Sequence, residues 1–141
     1  MKSIKKRFAA LLSTFLIAAG LIVAMPAASN AATSSSSCSG SYVSTKYVKN
    51  GSGTVIGRVG VYREGNYMCA ILIKAGPAYG VRTYVKLDIQ SRDGGFRWDF
   101  GDFLYRTDAL RIYAPDHTIY FNAHVEGKNG GNFYAEGYVR G

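Results

Sequence analysis

The sequence predicts an all-β fold, a single small antiparallel β-sandwich or barrel of about eight strands with one disulfide. Three observations favour this fold class. From residue 41 onward, apolar and polar residues alternate with a period of two instead of 3.6. Short runs of Gly, Asn and Asp separate the alternating segments at the intervals typical of sandwiches and barrels. No window of helical period reaches ten residues in this part of the chain.

Residues 1–31 have the order of a cleaved secretory signal peptide. Four cations within the first seven residues precede an apolar run at 9–24, and Pro26 and a set of small residues follow. The small residues predict cleavage after Ala31, with Ala32 as the second choice. We therefore expect a secreted, extracellular protein with no stable membrane span after processing. An uncleaved anchor is the alternative, because the apolar run is only slightly shorter than a span.

The rest of the chain is predicted to form one domain. Residues 32–40 are Ser-rich and are expected to be a flexible leader, and residues 41–141 are expected to form a single β domain. Loss of the signal leaves 110 residues with 13 Lys and Arg against nine Asp and Glu, so the net charge falls from +8 to +4. A charge this small and scattered gives no reason to expect a nucleic-acid partner.

The strand assignments rest on alternation and on the turns between them. The predicted strands are 42–48, 54–62, 67–74, 81–89, 96–100, 110–114, 118–126 and 132–140. The predicted turns, rich in residues that tolerate positive φ, are 50–53, 64–66, 76–77, 93–95, 114–116 and 128–131. The third strand is almost continuously apolar, which is typical of a strand covered on both faces. Gly57, Gly60 and Gly137 lie inside strands and indicate bulges or close backbone approach.

The two cysteines, Cys38 and Cys69, are expected to form a disulfide. Both lie beyond the signal, and two thiols in a small secreted domain usually pair. The bridge would join the N-terminal segment to the strand that holds Cys69. A zinc site would need more ligands, and a redox pair would normally lie closer in sequence.

No catalytic or metal-binding motif is evident, and we expect neither an enzyme nor a cofactor. Asp116 and His117 follow Pro115 and are interpreted as a solvated turn. His124 lies on the polar side of a strand without further ligands nearby in sequence, which favours a surface role. Asp99 and Asp102 are the remaining candidates for a reactive or metal site. They could act as paired carboxylates or as calcium ligands, although they lack the spacing of a calcium loop.

The distinctive feature of the sequence is its aromatic content beyond the signal. All 11 Tyr, Trp98 and five of the seven Phe lie beyond the signal. Several Tyr occupy the strand side opposite the aliphatic residues, with cations close in sequence. The candidate binding residues on this predicted Tyr-rich basic face are Tyr84, Lys86, Tyr120, Tyr134 and Tyr138. In the functional interpretation, these tyrosines stack on sugar rings, a polymer or a protein. In the alternative interpretation, they only pack across neighbouring strands of an exposed sheet.

Three segments resemble a known family. They are Cys-Ser-Gly-Ser-Tyr at 38–42, Gly-Asn-Tyr-Met-Cys-Ala-Ile-Leu-Ile-Lys at 65–74, and the stretch 102–114 from Asp-Phe-Leu-Tyr to Leu-Arg-Ile-Tyr-Ala. Together they resemble the spore-associated protein A group of actinobacterial secreted proteins, over about 100 residues. The chain differs from that group in having no cysteine after Cys69. The resemblance implies secretion and association with the spore or cell surface, and it implies no catalytic residues.

These observations lead to one main functional hypothesis and two alternatives. The main hypothesis is a small secreted, non-enzymatic protein that associates with the cell or spore envelope. Its expected partner is a cell-wall or spore-surface polymer, or another secreted protein. The first alternative is a secreted antimicrobial or toxin-like protein, since a cationic domain is attracted to anionic envelopes. The second is a secreted enzyme inhibitor that presents a loop such as 108–116 or 128–131.

Overall fold

Eight antiparallel strands and one short 3-10 turn make up the part of the chain that the computed structural model describes, residues 37–141. The strands are β1 (Ser41–Lys49), β2 (Val55–Glu64), β3 (Tyr67–Lys74), β4 (Thr83–Ser91), β5 (Phe96–Phe103), β6 (Leu110–Tyr113), β7 (Thr118–Glu126) and β8 (Asn132–Arg140). The 3-10 turn η1 (Gly76–Ala78) lies between β3 and β4. The predicted signal peptide and residues 32–36 of the leader lie outside the described residues.

The strands form two four-stranded sheets, and the predicted fold class is confirmed. Sheet 1 has the order β1-β2-β3-β6 and sheet 2 the order β5-β4-β7-β8. Within the described residues the two sheets do not close into a barrel, so the architecture is a sandwich. The chain passes from sheet 1 to sheet 2 after β3, returns after β5, and passes to sheet 2 again after β6.

All eight predicted strands are present; three have the predicted bounds and five differ by one to three residues at one or both ends. The two largest differences have clear reasons. The fourth begins at Thr83 instead of residue 81, because the Val81 amide donates to the Ala78 carbonyl oxygen in a turn. The fifth continues to Phe103 instead of ending at Phe100. Gly101 breaks the sequence alternation there, but it still pairs with Val85 of β4.

The core lies between the sheets and takes one side of each strand. Its buried members are mostly Val, Leu, Ile and Ala, with Phe121 and Met68 as the large side chains. Gly57 of β2 allows the sheets to approach, since a Cβ there would lie 2.9 Å from Val125 Cγ2 and 3.2 Å from Leu72 Cδ1. The close approach that a strand glycine indicates is therefore present at this position.

Lys74 is a buried cation at the end of β3, with only 1% of its surface exposed. Its Nζ donates to the Val81 carbonyl oxygen, to Thr83 Oγ1 at 2.7 Å and to the Phe103 carbonyl oxygen at 2.9 Å. Burial lowers the pKa of this ammonium, and the carboxylates of Glu126 and Asp102 oppose the shift. Three acceptors from sheet 2 and its entry loop thus hold a side chain from sheet 1, which ties the sheets together at one end.

The Cys38–Cys69 disulfide is present, with 5.7 Å between the two Cα atoms. Cys69 lies on the outer side of β3, so the bridge holds the first described residues against the outside of sheet 1. Gly40 has a φ of 85°, and a Cβ at this position would overlap the Arg63 carbonyl oxygen. Only glycine therefore lets the chain cross β2 here without strain.

An ion pair reinforces the same attachment. Arg111 Nε lies 2.6 Å from Glu64 Oε2, and Arg111 Nη2 donates to the Ser37 carbonyl oxygen at 2.9 Å. Glu64 Oε1 in turn accepts the Ser39 amide at 2.6 Å. Burial opposes ionisation of Glu64, but the hydrogen bonds from Arg111 and Ser39 outweigh it and hold the pKa of this carboxyl below its usual value. The disulfide and this pair act on the same short segment.

Loss of the disulfide is expected to lower the free energy of unfolding by about 3–4 kcal/mol, because a loop of this size gains that much entropy in the unfolded chain. Urea unfolding of the oxidised and reduced wild type measures the difference. The Cys38→Ala/Cys69→Ala variant should match the reduced protein. Two free thiols in the intact mass of the secreted protein would contradict the assignment.

Replacement of Lys74 by Met is expected to lower the free energy of unfolding by about 2–4 kcal/mol, because two carbonyl groups and a hydroxyl lose their donor. Urea unfolding measures this change. The control is Lys46→Met, which alters an exposed lysine on β1 and should change stability by less than about 0.5 kcal/mol. Equal stability of the two variants would show that the buried ammonium contributes nothing.

Candidate functional site

Among the described residues, the outer surface of sheet 2 carries seven aromatic rings and no aliphatic side chain. The even-numbered residues 84–90, 96–102, 120–126 and 132–140 lie on the outside of sheet 2, and we call this surface the aromatic face. Its aromatic members are Tyr84, Phe96, Trp98, Phe100, Tyr120, Tyr134 and Tyr138. Its remaining members are Lys86, Asp88, Gln90, Asp102, Asn122, His124, Glu126, Asn132, Glu136 and Arg140. No aliphatic side chain occurs among these described positions.

Strand alternation and register explain why these side chains meet. The odd-numbered residues of β4 and β7, such as Val85, Leu87 and Phe121, are buried in the core, so their even-numbered neighbours point outward. Lys86 pairs with Phe100 on one side and with His124 on the other, and His124 pairs with Tyr134. Residues paired in this way form a row that crosses all four strands of sheet 2.

The structure brings all five predicted binding residues onto this face. Tyr134 and Tyr138 of β8 are 62% and 72% exposed, while Tyr84 and Tyr120 on the inner strands are half-buried. Lys86 lies between them, with its Nζ 3.4 Å from Asp88 Oδ2. Their placement on one surface agrees with the sequence pattern, and their role in binding stays a prediction.

The sequence pattern missed the rings of β5. Phe96, Trp98 and Phe100 are 44%, 54% and 55% exposed and belong to the same face. Their alternation with Arg97 and Asp99 indicates that the three rings share one side of a strand. The sequence does not show which strand pairs with β5, so it does not place these rings beside the tyrosines. Its pairing with β4 follows from the turn at 93–95, which joins two adjacent strands.

The expected basic character of this face is wrong. Four carboxylates, those of Asp88, Asp102, Glu126 and Glu136, share it with only two cations. One of those cations, Lys86, is already paired with Asp88. Cations such as Arg82 lie close to the tyrosines in sequence and suggest a basic face. Strand alternation, however, places Asp88, Glu126 and Glu136 on the same sides as Tyr84, Tyr120 and Tyr138, and pairing of β5 with β4 adds Asp102.

The rings contact one another across the strands. Phe100 and Tyr84 have their centroids 6.4 Å apart, Tyr84 and His124 5.1 Å apart, and His124 and Tyr134 4.5 Å apart. These contacts form a continuous ring ladder from one edge of sheet 2 to the other. The ladder spans about 14 Å, since neighbouring strands lie about 4.8 Å apart.

A second ring cluster lies at the opposite end of the face. Tyr120 and Tyr138 form an edge-to-face pair with centroids 5.1 Å apart. They line a cleft of about 190 Å³ together with Gln90 and Arg92. Donors and acceptors therefore surround these two rings.

Hydrogen bonds order the polar centre of the face. Glu136 Oε2 accepts from the Tyr120 hydroxyl at 2.7 Å and from Asn122 Nδ2 at 3.4 Å. The bond from the phenol to this carboxylate is the main cause that raises the pKa of Tyr120. His124 Nε2 lies 2.8 Å from Asn132 Oδ1. Ring and polar side chains thus hold each other in place.

The other sequence candidates do not assemble into a reactive site. Asp99 Oδ2 accepts the Asp108 amide at 2.7 Å, while Asp102 lies on the aromatic face, so the two carboxylates lie on opposite sides of β5. Asp116 and His117 form a turn, in which Asp116 accepts the Thr118 amide and His117 Nε2 lies 3.0 Å from the Gly65 carbonyl oxygen. Within residues 37–141, no group of three or more metal-ligating side chains could hold an ion.

The two loops considered for an inhibitor also have structural roles. Segment 108–116 contains β6, which pairs with β3, so this segment is part of sheet 1 and not a free loop. Segment 128–131 is the turn between β7 and β8, closed by the bond from the Gly127 amide to the Gly131 carbonyl oxygen. In the described part of the chain, no helix is long and apolar enough to cross a membrane.

Comparison of the chain with models of protein families, with curated proteins and with solved structures gave no match. The resemblance to the spore-associated protein A group therefore stays a prediction.

Replacement of Glu136 by Gln is expected to return the pKa of Tyr120 toward its ordinary value of about 10, because the phenolate no longer faces a carboxylate. The measurement is an NMR pH titration of the Tyr120 ring carbon Cζ. Glu126→Gln is the control, since Glu126 contacts the Tyr84 amide and not Tyr120. An unchanged Tyr120 titration in Glu136→Gln would contradict the hydrogen bond.

Proposed function

We propose that this chain is a small secreted, non-catalytic protein that associates with the cell or spore envelope through its aromatic face. The observation that carries the proposal is the composition of that face: seven aromatic rings, hydrogen-bonding side chains and no aliphatic residue. Five of the rings are at least 44% exposed. Soluble proteins rarely expose a large contiguous apolar surface that has no partner.

The two faces of the sandwich differ in a way that supports this assignment. The outside of sheet 1 also exposes tyrosines, such as Tyr47 and Tyr67, but it carries the aliphatic Ile71 and Ile73, and the segment fixed by the disulfide lies against it. The outside of sheet 2 is open along its whole length in residues 37–141. The signal-like N-terminus and the family resemblance supply the extracellular setting, which makes the envelope the nearest large binding partner.

The triple variant Trp98→Ala/Tyr134→Ala/Tyr138→Ala is expected to lose at least about 90% of its co-sedimentation with purified cell walls or spores, because these exposed rings supply the contact area. The measurement is the bound fraction in a sedimentation assay with the mature protein. The matched control is Tyr47→Ala/Tyr67→Ala on sheet 1, whose rings are 50% and 48% exposed.

The control variant should bind as the wild type does. Thermal unfolding of both variants separates a binding effect from a folding effect, since exposed rings contribute only modestly to stability. Wild-type protein that stays wholly in the supernatant would contradict the proposal, as would growth inhibition of neighbouring bacteria without any envelope binding.

A further inference from the structure

We infer that the aromatic face binds an uncharged glycan chain, and not one of the polyanionic polymers of the envelope. This inference rests on the proposed function and specifies the chemical class of the partner. Charge, composition and the positions of the rings each support it.

The charges on the face disfavour a polyanion. Its four carboxylates outnumber its two cations, Lys86 and Arg140. Arg92 also borders the face at the cleft beside Tyr120 and Tyr138, but its Nε lies 3.6 Å from Asp116 Oδ2, and the Arg82 guanidinium lies just before β4. Lys86 is held 3.4 Å from Asp88, and Arg82 donates to the Asp102 carbonyl oxygen at 3.0 Å. A phosphate- or carboxylate-rich chain laid on this surface would meet like charges, which weakens binding.

The carboxylates are suited to accept hydrogen bonds from hydroxyl groups. Glu136 accepts from Tyr120 and Asn122, and Glu126 Oε2 accepts the Tyr84 amide at 3.0 Å. Each of these carboxylates still has acceptor capacity beyond the bonds made here, because an ionised carboxylate offers about four lone-pair sites. Such groups accept well from hydroxyls, and a bond from a neutral hydroxyl to a carboxylate is stronger than one between neutral partners.

The composition of the face favours a sugar over a protein. Protein interfaces gain much of their stability from an apolar core, whereas a pyranose offers C–H groups on its ring faces and hydroxyls around its edge. Aromatic rings pack against the C–H groups, and Asp, Glu and Asn side chains form hydrogen bonds with the hydroxyls. In the described strands of sheet 2, the outward positions hold aromatic and hydrogen-bonding side chains and no Val, Leu, Ile or Met.

The positions of the rings indicate a chain of several sugars. The most exposed rings lie on the two outer strands, Trp98 on β5 and Tyr138 on β8, while hydrogen-bonding groups such as Asn122 lie on the inner strands. The outer strands are three interstrand spacings, or about 14 Å, apart. A single sugar cannot contact both outer strands, so affinity should rise with chain length.

The test is binding of the mature protein to soluble probes of known charge. The uncharged probes are the hexamer and the dimer of N-acetylglucosamine and of β-linked glucose, and the polyanions are polygalacturonate and poly(glycerol phosphate). Calorimetry or NMR titration measures affinity at about 50 and about 500 mM salt, because only binding to a polyanion is strongly screened over this range.

We expect at least one uncharged hexamer to bind tenfold or more tightly than its dimer, with less than a twofold change between the two salt concentrations. Trp98→Ala/Tyr138→Ala should weaken hexamer binding at least tenfold, and Tyr47→Ala/Tyr67→Ala should not. The charge-neutralised variant Asp88→Asn/Glu136→Gln should not improve hexamer binding, although it should improve any residual binding of the polyanions.

Three results would overturn the inference. The first is salt-sensitive binding of a polyanion in preference to every hexamer. The second is a dimer in solution that Trp98→Ala/Tyr138→Ala dissociates, since a second copy would then occupy the face. The third is envelope binding that survives enzymatic removal of the uncharged glycans. In the first and third cases the proposed envelope association still holds, whereas hexamer binding without co-sedimentation would refute that association and leave the glycan assignment standing.

Discussion

Burial of every second side chain between two sheets is the constraint on which this structure depends. A strand that gives its odd-numbered residues to the core must give its even-numbered residues to the outside. The buried residues of β4 and β7 therefore also orient the aromatic face. Burial of Val85, Leu87 and Phe121 fixes the outward direction of their neighbours Tyr84, Lys86 and Tyr120. The aromatic face needs no loop to position it. Its rings stand on paired strands, which are the most rigid support that such a small domain offers.

The ends of the sandwich are held by polar and covalent contacts instead of apolar ones. Lys74 joins sheet 1 to three acceptors at the end of sheet 2, and the disulfide with the Glu64–Arg111 pair fixes the first described residues. A domain of this size buries a small core, so a few directed contacts carry a large share of its net stability.

Much of the fold could be predicted from local pattern, because alternation and turn residues are local properties. The strands 67–74, 118–126 and 132–140 were predicted with the bounds they have, and the cystine was predicted because only one pairing within the chain is possible. What could not be predicted depends on strand order. Phe96, Trp98 and Phe100 join the tyrosines only once β5 is placed beside β4, and Asp102 joins the other carboxylates of the face by the same pairing. The burial of Lys74 could not be predicted either. Two of its three acceptors are backbone carbonyl oxygens, which every residue has, so the sequence does not mark their positions.

The position of the disulfide has a practical consequence for handling the protein. Cys38 is fastened to the outside of sheet 1, on the side of the sandwich opposite the aromatic face. A dye, affinity handle or solid support attached just ahead of Cys38 would therefore begin on the rear of the molecule. Material immobilised in this way would present the aromatic face toward the solution, an orientation suited to glycan arrays and to single-molecule pulling on intact envelopes.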